Sequence, residues 1–440
     1  MNDWLDAEQR VERAQQYSES HRWSEALVEL DAAIAINPHN ALWHAQRGYI
    51  LEELDRDEEA ADAYQQAFSL DTGDNEVALA LGVTLARLGR YAQALEVLEG
   101  LAQREPDFEP AYCHRIHLYA ELGRHEQAEE VFYLAQQLDD ECPHCFFHLG
   151  GSLAARGLYD RAIFCWRKAL ELEPDYLGVN RNIAQAYRAK GEFDQAREHL
   201  IRELRDDPGS TDLLFELADL AVQTGDTTTA IAKLEQIIEL DPDHAGARLA
   251  LGKIRLRSGQ PQQAREIFSR LAADPPPDLD LSELGCLLGE THLRLGDYAA
   301  ARTCLEKARE QDTENLRTLI LLGDATLAMD KPGEAADHYR RVLALERNPF
   351  ALHRLAVCLL KLGRSEAALE HCLEALQLNP EFVEAMYHTA LAYVRMAQWR
   401  QAREWIDRAL KAAPGNEPVL QLRKSLWRYR IRHYFRWLQR

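Results

Sequence analysis

PHCFFHLGGSLAARGLYDRAIFCWRKALELEP, residues 143–174, holds a complete structural unit. Phe146, Leu149, Gly150 and Leu153 set apolar or small side chains at helical spacing. Gly157 ends that helix, because glycine takes a positive φ at little cost. Tyr159, Ala162, Trp166 and Ala169 form the stripe of a second helix, and Pro174, which lacks an amide hydrogen, stops it. The stretch therefore predicts two antiparallel helices, neither of which can bury its stripe without a neighbour.

The neighbours are written in the same chain. Ala162 belongs to a series spaced by 34 residues: Ala26, Ala60, Ala94, Ala128, Ala162, Ala196, Ala230 and Ala264. The series slips by three residues to Ala301 and Ala335, then falls one short at Ala368 and Ala402. A fixed period of this length marks a solenoid in which each unit stacks on the next. The place of Gly150 is taken by Gly48, Gly82, Ala184, Ala218, Gly252, Gly289, Gly323, Ala356 and Ala390. Together with the recurrent alanine they let two backbones approach, while Tyr64, Phe132, Trp166, Phe268 and Tyr339 fill the space beside them.

These residues resemble the tetratricopeptide repeat family. The resemblance covers residues 7 to 416 as twelve units and implies an all-α, right-handed superhelical solenoid of antiparallel helix pairs. Departures are local. Ile116 replaces the small residue in the fourth unit and should wedge that pair, and Asp55, Asp330 and Ala397 replace the glycine between helices.

Composition narrows the function. The 440 residues are 46% hydrophobic, enough for a long core, and no stretch approaches the roughly 20 apolar residues that span a bilayer. The polar, acidic start, Met1 to Arg10, is unlike a secretory signal, so a cytoplasmic location is expected. The eight cysteines fit a reducing compartment, with Cys165, Cys304 and Cys372 expected as small buried hydrophobes. A formal charge of −21 disfavours nucleic acid and favours basic partners.

Two breaks divide the array. Asp274-Pro275-Pro276-Pro277-Asp278 predicts a joint between repeats one to eight (7–278) and nine to twelve (279–416), across which Leu279, Leu281 and Leu284 can continue the core. Residues 417–440 hold seven basic side chains (Arg423, Lys424, Arg428, Arg430, Arg432, Arg436, Arg440) and one acid, Glu417, for a charge of +6 against −27 on the rest. Pro418 suits a first helical turn after Asn416 as cap. This helix is read as a cap burying Leu420, Trp427 and Ile431 on the last repeat. The alternative is a basic aromatic arm, with Tyr429, Phe435 and Trp437, for an anionic membrane, an acidic protein or self-association.

In the resembled family the first helices line a concave groove, which implies a non-catalytic scaffold or adaptor that binds a protein or peptide there. The thirteenth residues of the units run Glu19, Glu53, Arg87, Glu121, Ala155, Ala189, Gln223, Arg257, Arg294, Ala328, Lys361 and Arg395, acidic early and basic late. Arg181, Arg188 and Lys253 extend the basic lining, and Phe147, Phe215 and Tyr387 are candidate anchors. A partner would be read by charge and by direction. Ordinary variation on a solvated face is the competing reading. The paired Lys and Asn of carboxylate-clamping members, and the asparagine ladder of those fused to a sugar transferase, are not matched. Asn180, Arg181 and Asn182 stand alone, and the sixth-position row reads Gln46, Ala80, His114, His148, Asn182, Glu216 and Ala250.

One cluster has ligand chemistry. Cys142-Pro143-His144-Cys145 with His148, and Cys113, His114 and His117 one unit earlier, offer zinc-type ligands or a thioredoxin-like dithiol. A lone CxxC is a weak signal, a redox enzyme of that kind needs a βαβ scaffold, and Phe146 stands where covalent haem needs histidine. No cofactor is expected. Phosphate loops, His-Glu-x-x-His and Gly-x-Ser-x-Gly are missing, so an enzyme is not expected.

Overall fold

A computed structural model describes residues 2–138, 141–277 and 279–438, with side chains placed within 4–429. The described residues form 25 α-helices and no strand, arranged as twelve helix pairs followed by a terminal helix. The stretch read first becomes helices Pro143–Ala155 and Tyr159–Leu172, joined through Gly157 at φ 73°. Side chains before many first helices satisfy their free amides. Asp74 accepts from the amides of Glu76 and Val77, and Asn348 from those of Phe350 and Ala351.

Packing follows one rule throughout. All twelve recurrent alanines are buried, at 0 or 1% exposure. Where the small residue of the first helix is glycine, it faces the residue 16 positions on in the second. A Cβ added to Gly150 would lie 2.4 Å from Trp166 Nε1, one on Gly252 2.3 Å from the Phe268 ring, and one on Gly323 2.5 Å from the Tyr339 ring. Large and small side chains are thus fitted as partners, and neither can be exchanged alone. Ile116, at the glycine position of repeat four, is fully buried, and the partner ring, Phe132, meets Phe146 edge-on at 5.1 Å.

The chain forms two compact units, Met1–Leu220 and Ala221–Arg440. In the first, one apolar cluster runs from Ala7 to Leu220. In the second, several clusters follow one another along successive helix pairs. The proline run lies inside the second unit, between helices Pro261–Ala273 and Leu281–Leu295. Leu279 and Leu284 join the cluster of Leu256, Phe268 and Leu271 across it, whereas Leu281 is 47% exposed. Asp278 lies outside the described residues.

Where glycine is absent between helices, the backbone keeps the same bend. Asp55, Asp330 and Ala397 take φ of 56°, 57° and 59°, and so does His21 at 53°. Left-handed backbone costs a residue with a Cβ about 1–2 kcal/mol, and glycine gives back part of the gain by loosening the unfolded chain. Ala397→Gly is therefore expected to stabilise the second unit by about 0.5–1 kcal/mol, measured by urea denaturation. An unchanged or lower midpoint would show that this turn carries no strain.

The terminal helix, Glu417–Leu438, starts at Asn416, whose side chain accepts the Val419 amide at 3.2 Å. Its buried face differs from the sequence expectation. Val419 and Leu422 are buried and Leu426 packs beside them, while Leu420 is half-buried and Trp427 is 58% exposed. The residues at 419, 422 and 426 make the i, i+3, i+7 stripe, which turns Trp427 outward. The side chains expected at Ile431, Arg430, Arg432, Phe435, Arg436, Trp437 and Arg440 lie outside those described.

Candidate partner-binding surface

Within each unit, successive first helices approach one another: Asn75–Arg87 meets Pro110–Glu121, which meets Pro143–Ala155, and Leu281–Leu295 meets Leu316–Ala328. Successive second helices do not come together to the same degree among the described residues. First helices therefore make the inner, shorter side of each stack, and their outward-facing rows form a continuous surface.

Most basic residues of that surface are held by the chain itself. Arg87 bonds Glu52, and Lys361 reaches Asp330 at 2.8 Å. Arg294 donates to the Leu256 carbonyl at 2.7 Å and to Glu290, and Arg395 donates to the Leu360 carbonyl. Arg181 bonds Glu216 at 2.6 Å, Arg188 bonds Asp219, and Lys253 meets Glu283 at 2.7 Å. Apart from Glu290, four residues from Arg294 on the same helix, these partners lie 30 to 38 residues apart, so those bonds staple neighbouring repeats. Arg257 is exposed and donates to nothing among the described residues. In the first unit the acids Glu19, Glu53 and Glu121 stay exposed on the same row. On this row the surface is thus open acid early, and late it is stapled base with Arg257 open.

The apolar candidates sit in different settings. Phe147 is half-buried and stacks on Tyr176 with ring centres 5.0 Å apart. Tyr176 in turn bonds His144 Nδ1 at 2.6 Å. Beside Phe147 stands His148, whose ring lies 4.9 Å from His117. Burial, reinforced by His117, His114 and His144, pushes the His148 pKa down to about 3, and burial also lowers His114. Rings on repeats four and five thus form a shelf, with His148 uncharged at neutral pH. Tyr387 is half-buried edge-on to His388, and Phe215 is half-buried.

The thiols meet at a cavity of about 280 Å³ lined by Cys113, Cys142, Cys145, His114 and His144, with Tyr112. Cys142 begins helix Pro143–Ala155, and its sulfur accepts the Cys145 amide at 3.3 Å. Cys145 is buried, and burial pushes the Cys113 thiol up to about 12. His148 is not part of this lining but faces His117. Among the described residues no three His, Cys, Asp or Glu side chains are placed to hold a metal ion, and no helix is long and apolar enough to cross a membrane.

Two groups were not singled out as contacts from sequence. His114 and His148 share the sixth position of successive units, where a search for asparagine passes over an imidazole shelf. Arg354 holds the same position in repeat eleven.

Comparison with known proteins agrees with this geometry. The description "Tetratricopeptide repeat" matches residues 11–75, 53–115, 85–145, 153–213, 221–284, 282–348 and 349–382, and "Fis1 C-terminal tetratricopeptide repeat" matches 383–428. TPR repeat-containing protein YpiA of Bacillus subtilis (strain 168) is 28% identical over 174 residues, 39% of this chain and 41% of that protein. Human protein O-mannosyl-transferase TMTC1 is 28% identical over 202 residues, 45% of this chain and 22% of its own length. Human DnaJ homolog subfamily C member 3 is 24% identical over 370 residues, covering 80% of this chain and 68% of the other. The chain thus spans well under half of the first two relatives.

Proposed function

The chain belongs to the tetratricopeptide repeat family, whose repeats are in general protein-interaction scaffolds, and from that premise we propose that it is a non-catalytic adaptor binding a partner polypeptide along its first helices. The observation that carries this reading is the first-helix surface within each unit, with a half-exposed ring at Phe147 in the first and, in the second, one at Tyr387 and an open cation at Arg257. Binding energy comes from a few aromatic and arginine contacts, while surrounding charges set direction and association rate. The open acids of the first unit call for basic stretches of the partner, and Arg257 calls for an acidic one. A cytoplasmic location is part of the proposal, supported by eight free thiols of the kind a reducing compartment keeps.

The test is co-purification with a tagged chain. Phe147→Ala combined with Arg257→Glu is expected to cut partner capture by at least about tenfold, because truncation at an anchor typically costs a kcal/mol or more. Arg257→Glu by itself should shift the melting point little, since exposed substitutions usually act within about 0.5 kcal/mol. Undiminished capture by the double variant would remove this surface as the main contact. Arg294→Glu and Lys361→Glu are poorer probes, because they also cut staples between repeats.

A further inference from the structure

We propose that a cavity of about 480 Å³ on the first helices of repeats nine to eleven seats a leucine-sized side chain of the partner, with the adjoining aspartate or glutamate held by Arg354. This inference rests on the polypeptide-binding reading above and names the kind of segment that binds. Leu293, Leu321 and Leu327 supply the apolar floor, and Glu290, Arg294, Asp324 and Arg354 the polar rim.

The rim looks balanced in formal charge, but bonding makes it one-sided. Glu290 is held by Arg294 at 2.7 Å and by Arg317 at 2.5 Å. Asp324 accepts the Tyr339 hydroxyl at 2.6 Å and faces Arg354 Nε at 3.3 Å. Both carboxylates therefore have their donors. Arg354 has no hydrogen bond in return: its Nε is buried without one, and no other Arg354 nitrogen is bonded among the described residues. The guanidinium is held in place by the Phe350 ring, 4.9 Å from its carbon, and by Asp324. A half-buried, oriented fork with free amines beside an apolar floor recognises a carboxylate next to an aliphatic side chain. A basic segment would find the rim acids already paired and Arg354 repelling it. The occupant is an extended acidic segment in which aspartate or glutamate adjoins leucine, isoleucine or methionine.

The probe is a short, fluorescein-labelled peptide alternating aspartate and leucine, amidated so that it carries no terminal carboxylate, titrated onto the full chain by fluorescence polarisation. Saturable binding is expected, weakened at least about tenfold by Arg354→Gln and by an asparagine-for-aspartate peptide, with the two losses non-additive because they remove one contact. Leu321→Asp should abolish binding, and Arg354→Lys should fall between wild type and Arg354→Gln. Circular dichroism and melting of each variant report its folding. Failure of the peptide to saturate, equal affinity for Arg354→Gln, or additive losses would overturn the proposal. Partner capture separates this inference from the one beneath it. Capture that needs Phe147 and Arg257 but ignores Arg354 retires the cavity and leaves the surface. Peptide binding that needs Arg354, with capture indifferent to every inner-face variant, keeps the cavity and retires the scaffold reading.

Discussion

Tyr339→Ala is expected to destabilise the second unit by about 4 kcal/mol, among the larger effects of a single truncation. Tyr339 is fully buried, and its ring fills the space that the absent side chain of Gly323 leaves open. Truncation empties that space, and glycine opposite offers no atoms to relax into it. It also removes the hydroxyl that Asp324 accepts at 2.6 Å, leaving a half-buried carboxylate with Arg354 alone. In a repeat array stability is nearly a sum of neighbour terms, so loss of hydrogen-exchange protection should centre on residues 316–361 and spare the first unit. A loss below about 1 kcal/mol would contradict the small-against-large pairing as the main packing device.

Acid is expected to weaken both units well before carboxylates protonate. His148 and His353 have pKa values pushed down to about 3, in each case chiefly by burial. Around His148 the added cause is His117, His114 and His144; around His353 it is His388 and Arg354. An unfolded histidine titrates near 6.5, so between there and about 3 the unfolded chain binds the proton and the folded chain does not. Stability is therefore complete above pH 7 and falls as pH drops, by about 2 kcal/mol at pH 5 for each such residue. Urea denaturation at pH 7.5 and 5.0 measures this, with His148→Gln expected to remove the share of the first unit and His353→Gln that of the second. Equal midpoints at the two pH values would refute it.

The fold was legible because its signals repeat. Trp166 opposite Gly150 and Phe268 opposite Gly252 state one packing rule, and a period of 34 residues makes any single exception harmless. The missing glycines read as departures, but the stacked pairs impose the bend regardless, so Asp55, Asp330 and Ala397, like His21, take the φ that glycine takes elsewhere. The surface was less legible, for a physical reason. Whether Arg294 or Arg257 is available to a partner depends on an acceptor about one repeat away, and no local pattern reports that distance. The terminal helix failed differently. Both of its stripes are apolar, and the weight of Trp427 favoured one, whereas the chain direction fixed at Asn416 buries the other through Val419 and Leu422. The imidazole shelf needed two adjacent units to be read together, because His117 and His148 meet only after stacking.

The staples between repeats also give each unit a mechanical character. Bonds such as Arg87 to Glu52 and Lys361 to Asp330 run along the stack and join one repeat to the next, beside the apolar contacts that do the same. Their charges are partly exposed and respond to dissolved ions, unlike the apolar contacts between paired helices. Concentrated salt is therefore expected to ease neighbouring repeats apart slightly while each helix pair, held by apolar contact, stays intact.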